Sequence, residues 1–259
     1  MNAVVVLEWN FSPPDYFEAP IAISRDDYIL TIAEGKAEAR IDSAVYLANP
    51  SMRAALHDAL DDRFLGVQLL THKAYELSTA TMTRVHPDGR RDVFLQMETA
   101  RVVATAPPVD FQIHDNNGNI IADSKGDRIE KKKNLAELVS SYRAGDGVLA
   151  SLLRSYDAAV RDPNNELVHL YEIRDALSVK FGDKKACQSA LGISIPDWSR
   201  LGELCNTGPL RQGRHRGKSS EALRDATEAE LSEARRIART MIEAYLRHLD
   251  DPCRAGGSP

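Results

Sequence analysis

The chain has 259 residues, 43% apolar, 27% charged and 6% aromatic. That apolar share excludes a wholly disordered chain, and the length exceeds the roughly 100–150 residues of a common single domain, so two domains are expected. A net charge of −5 excludes a surface that is basic all over and leaves only local patches for polyanions.

Residues 1–130 read as a β-rich domain. Val4-Val5-Val6-Leu7 is a short apolar run closed by the turn residues Ser12-Pro13-Pro14. Residues 28–32 and 37–41 flank Glu34-Gly35 and predict a hairpin. Pro50 followed by Met52, Ala55, Leu56 and Leu60 predicts a helix over 50–63. Residues 74–85 and 91–104 form a second predicted hairpin around His86-Pro87-Asp88-Gly89, where proline presets φ and glycine accepts a positive φ. A third joins 109–113 to 119–122. The sum is a mainly antiparallel sheet with one helix against it.

From Lys125 to Lys133 the chain turns polar and charged, and the apolar period then becomes helical. That shift predicts a domain border sensitive to proteolysis, with a first helix starting near Asn134, three residues before Glu137. Residues 131–250 read as an all-α bundle, making the whole chain α+β. Helices follow over 146–160, from Asp162-Pro163 to Gly182, over 184–191 and over 196–205. The last helix opens on Thr227 and Glu230, a capping-box pair, and carries Leu231, Ala234, Ala238, Met241, Tyr245 and Leu249 in one stripe. Ile237 and Ile242 flank that stripe, which suggests a face wide enough for a second copy of the chain. Residues 251–259 are small and polar and read as a flexible tail.

No apolar run approaches the roughly 20 residues of a membrane span, and residues 1–10 show neither a basic start nor a cleavage site. Cys187, Cys205 and Cys253 form no Cys-x-x-Cys and cannot all pair, which fits reduced thiols in a cytoplasmic setting. Neither histidines nor cysteines have metal-site spacing, and no nucleotide motif follows a strand, so no metal and no cofactor is expected.

One stretch concentrates positive charge: residues 199–224 hold six basic residues against two acidic. Within it, His215 has Arg211, Arg214 and Arg216 close by. Neighbouring cations disfavour imidazolium, so His215 would be a neutral base. Arginines hold phosphate in bidentate fashion and stabilise charge that builds during cleavage. A base, an acid and cations are what metal-independent RNA cleavage needs. The plain alternative is a solvated basic loop made flexible by Gly208, Gly213 and Gly217.

The helical half resembles HEPN domains, in particular the ApeA-related bacterial branch. The resembling pieces are His169-Leu170-Tyr171-Glu172-Ile173 on a long helix, Ala190-Leu191-Gly192-Ile193, Asn206, then Arg214-His215 after a loop, and a final amphipathic helix. The family's commonest motif is arginine, four to six residues, histidine; here Arg211 precedes His215 by three intervening residues and Arg214 adjoins it. The resemblance implies a dimeric helical bundle with a composite RNase site, often in phage-defence or toxin–antitoxin systems. It would make His215, Arg214 and Asn206 catalytic and assign Arg211, Arg216 and Lys218 to RNA. A non-catalytic module binding RNA or a protein, with a partner on the β domain, uses the same residues.

Two other readings compete for this region. Gly213 to Ser219 approaches a P-loop but has three residues where four are needed. Residues 184–205 have the outline of a helix-turn-helix, although the second helix offers only Arg200 as a cation.

Overall fold

The first strand, β1 (Val4–Ser12), is the spine of the sheet. It is followed by β2 (Ile21–Ser24), β3 (Tyr28–Ala33) and β4 (Lys36–Asp42). The chain is described here by a computed structural model that covers residues 3–94, 110–114, 120–214 and 222–251. Antiparallel register sets Val5, Leu7 and Trp9 of β1 opposite Ile41, Ala39 and Ala37 of β4. Leu30 and Ile32 of β3 face the same two alanines. All eight residues are at most 1% exposed. Small alanines opposite tryptophan and leucine keep this face level, and a one-residue slip would turn the whole set to solvent.

A short helix, α1 (Ser43–Ala48), is capped by Asp42 and leads to α2 (Met52–Thr71), which extends well past the predicted 50–63. Its buried Leu56, Leu60, Phe64 and Val67 recur at helical spacing. The Trp9 indole nitrogen donates to His57 Nδ1 at 3.2 Å, and the Phe64 ring sits 5.1 Å from Phe11 and 4.8 Å from Phe17, which brings α2 against β1. β5 (Glu76–Leu77) pairs with the end of β1, and β6 (Thr81–Val85) and β7 (Arg91–Phe94) complete the order β2-β3-β4-β1-β6-β7. Both predicted turns form: Glu34 and Gly35 take φ of 49° and 81°, and Gly89 takes 84°. The continuation of the second hairpin over 95–104 lies outside the described residues. A third hairpin pairs β8 (Gln112–His114) with β9 (Ile120–Asp123).

The predicted border at Lys125–Lys133 is corrected by α3 (Ser124–Tyr142), a single helix through that stretch. Asn134 therefore lies inside a helix, whose start is capped instead by Asp123, its Oδ1 accepting from Lys125 N and Gly126 N at 3.1 Å. The charges that read as a linker have partners within the same unit. Arg128 grips Glu18 and Asp110, each with contacts of 2.6 Å. Lys132, 6% exposed, donates to Tyr16 O and pairs with Glu18. Burial raises the Glu18 carboxyl, but Arg128 and Lys132 bring it below its usual range.

The described residues fall into two compact units. The first runs to Val67 and resumes over Tyr75–Ala136; the second holds Gln68–Ala74 and all from Glu137 onward. The second unit contains α4 (Gly147–Arg161), a short turn at Pro163–Asn165, α5 (Glu166–Lys180), α6 (Lys184–Leu191), α7 (Ile195–Gly202) and α8 (Glu228–Asp250). Caps set these helices: Asp146 for α4, Asp183 for α6, Ser194 for α7, and the Thr227–Glu230 box for α8. The core joins Leu149, Leu152 and Leu153 of α4, Leu170, Ile173 and Leu177 of α5, and Ala238, Met241 and Tyr245 of α8. Ile237 and Ile242 are 1% and 0% exposed in the single chain, so this unit covers the face that suggested a second copy. The chain is α+β, an antiparallel sheet region followed by helices. Among the described residues no helix is long and apolar enough to cross a membrane.

Candidate functional site

The site begins on α5. Tyr171, Arg174 and Asp175 stand at positions i, i+3 and i+4, and thus on one helical face. Across from them, α7 buries Trp198, Leu201 and Gly202. The chain then widens into a single π turn, Glu203–Thr207, which carries Asn206. Such turns are uncommon and recur at functional sites.

Beyond it, the basic loop is tied down by main-chain bonds. Leu210, 2% exposed, bridges to Arg224 in parallel register. Arg211 N donates to Arg224 O at 2.9 Å and Arg224 N to Pro209 O at 3.0 Å. Arg214 N donates to Cys205 O at 2.8 Å. Gly213 eases that last bond, because a Cβ there would press on Leu210 O at 3.1 Å and Cys205 O at 3.3 Å. Gln212 Oε1 accepts from Ala226 N and ties the loop to the start of α8.

This anchoring carries Arg214 back to α5. Its guanidinium lies 4.9 Å from the Tyr171 ring centre and 2.6 Å from Asp175. Arg174 approaches the same ring, also at 4.9 Å, and the Trp198 ring at 5.1 Å. The Cys205 thiol beside them is pushed up to about 12 by burial, which the Arg174 charge only partly opposes. This cysteine is a structural thiol, not a nucleophile.

Of the residues singled out from sequence, Asn206, Arg211 and Arg214 are described; His215, Arg216 and Lys218 lie outside the described residues. Arg211 is 63% exposed at its side chain and faces Asp225 at 3.8 Å. Asn206 Oδ1 is buried and makes no hydrogen bond among the described residues. Other arginines of the stretch are engaged: Arg200 by Glu203 and Glu233, and Arg224 by Glu230, whose carboxyl drops to about 2 chiefly through that bond. Arg200, the one cation of the second helix in the helix-turn-helix outline, is thus held by carboxylates.

Sequence reasoning missed Asp175, the partner of Arg214, and the slot at Gly202 beside Arg174. The Tyr171-x-x-Arg174-Asp175 spacing sets these three on one face of α5 but points to neither Arg214 nor Gly202. Glu172, part of the segment that carries the resemblance, accepts from Ser155 Oγ at 3.1 Å. No protein-family model, curated protein or solved structure matches the chain.

Proposed function

We propose that the chain is a cytoplasmic HEPN-like effector that acts on RNA, a metal-independent endoribonuclease of a phage-defence or toxin–antitoxin-like system. In this reading His215 is the general base or acid, Arg214 and Arg211 hold the scissile phosphate, and Arg216 and Lys218 extend the contact with RNA. Asn206 stands at the π turn that anchors the loop, and the active form is a homodimer, on the strength of the resemblance alone.

The observation that supports it is the pinning of the loop. A merely solvated connection has no reason to dock Arg214 N on Cys205 O, with Gly213 set close against Leu210 O and Cys205 O. The result is a fixed guanidinium next to the histidine in sequence. The Arg214–Asp175 pair is 42% and 46% exposed at its side chains, so it is worth only about 0.2–1 kcal/mol and yields readily to a bidentate phosphate.

One observation favours the second reading, a non-catalytic module that binds RNA or a protein. Arg200, Arg211, Arg214 and Arg224 each already face a carboxylate, which lowers the surplus charge of the loop. Incubation of the purified protein with total RNA in EDTA separates the two. Cleavage that disappears in both His215→Ala and Arg214→Ala is the expected result. Binding without cleavage in the wild type would replace the nuclease with the binding module.

A further inference from the structure

Two guanidiniums face one ring at Tyr171, and the nearby carboxylate serves only one of them. Asp175 lies 2.6 Å from Arg214. Arg174, half-buried, pairs with no carboxylate among the described residues, and its Nε is buried without a hydrogen bond. A guanidinium withdrawn from water without a counter-charge is unfavourable, and a donor left unpaired adds to that cost.

Yet the fold makes room for it. The Arg174 guanidinium lies where a Cβ at Gly202 would stand, so a side chain at 202 would displace it from its place against α7. The Trp198 ring stands at 5.1 Å; Trp198 is 1% exposed, and its Nε1–H has no hydrogen-bond partner among the described residues. Among the described residues, two cations and one carboxylate leave one surplus positive charge, the complement of a single phosphodiester.

We propose that Arg174 and Arg214 together form a binding site for a phosphate oxyanion, with Arg174 the cation left for the ligand to neutralise. The site deepens the reading above and rests on it only for the source of the phosphate, an RNA backbone. The anion chemistry itself stands on the Tyr171–Arg174–Gly202–Trp198 geometry.

The chain has two tryptophans, which give two indole N–H signals in a nitrogen-15 NMR spectrum. Trp9 already donates to His57 and serves as the control. Inorganic phosphate, added to the full chain at constant ionic strength, is expected to move the Trp198 signal saturably and leave that of Trp9 in place. Arg174→Gln should abolish the shift, Arg174→Lys should keep part of it, and Asp175→Asn should tighten the apparent Kd about two- to fivefold, the worth of an exposed pair. For a short single-stranded RNA, Arg174→Gln should weaken binding about tenfold and reduce the salt slope by about 0.7.

Displacement of phosphate by that RNA supports the backbone as source. Displacement by a 5′-mononucleotide alone keeps the anion site and points to a free phosphoryl ligand. An unmoved Trp198 signal, or an Arg174→Gln protein that binds as the wild type does with Trp9 unshifted, overturns the proposal. The two readings fail separately. Phosphate binding in a chain that never cleaves RNA removes the nuclease and keeps the site; cleavage without a Trp198 shift does the reverse.

Discussion

Glu166 looks, in sequence, like an ordinary acidic residue in the first turn of a helix. In the fold its side chain is 2% exposed. Arg235 donates to it through Nε at 2.6 Å and Nη2 at 2.9 Å, and His72 Nε2 stands at 3.3 Å. Burial raises the carboxyl, while the bonds from Arg235 and then His72 outweigh it and hold the group below its usual 4.5. A depressed folded value means that the ion pair stabilises above pH 4.5, and that this contribution is lost as pH falls below it. Glu166→Gln should therefore cost about 3 kcal/mol at neutral pH, because it leaves Arg235 facing a neutral amide. Its stability should also fall less on acidification than that of the wild type. Thermal melts at pH 7 and below pH 4.5 check both; equal acid-side losses in the two proteins would show that Glu166 does not carry the effect.

At the scale of elements, what was legible is what is written locally. The hairpin at Glu34-Gly35 and the start of α8 at Thr227 follow from turn and cap chemistry within four residues. The start of α3 was misread because its first half is polar, and that polarity answers to Glu18, more than a hundred positions away. Glycine 66 teaches the same lesson. In mid-helix it is worth about 1 kcal/mol less than alanine by propensity. In the fold, a Cβ at 66 would lie 2.7 Å from both Ala136 Cα and Leu135 O, backbone atoms that cannot rotate away. Gly66→Ala should thus destabilise by about 1–3 kcal/mol despite the better helix former. Gly147, at the first turn of α4, has nothing within 4 Å of its would-be Cβ, and Gly147→Ala should be neutral or stabilising by up to about 1 kcal/mol. Urea titrations that place both variants on the same side of the wild type would refute the close approach of α2 and α3.

For the molecule as a whole, the class was legible because the period of apolar residues changes once along the chain. The candidate site was legible only in part. Arg214 and Asn206 stand out by composition and by resemblance, whereas Asp175 meets Arg214 across 39 positions and no local pattern announces the pair. The partition of the chain was the least legible, since Gln68–Ala74, which takes in the last turn of a helix begun in the first unit and the three residues after it, belongs to the second. Those residues are bonded into it: Gln68 Nε2 donates to Asp157 at 3.0 Å, Tyr156 OH donates to Leu69 O at 3.3 Å, and the His72 ring meets Tyr156 edge-on at 5.5 Å. A fragment of residues 134–250 would lack all of them, leave Glu166 without His72, and cut α3 inside its length. The border that the sequence places at Lys125–Lys133 therefore does not release an independently folding bundle. Followed by circular dichroism, the fragment should melt without a cooperative transition, or well below the second unit in the full chain. A sharp transition at the full chain's Tm would show that 68–74 adds nothing to the helical core.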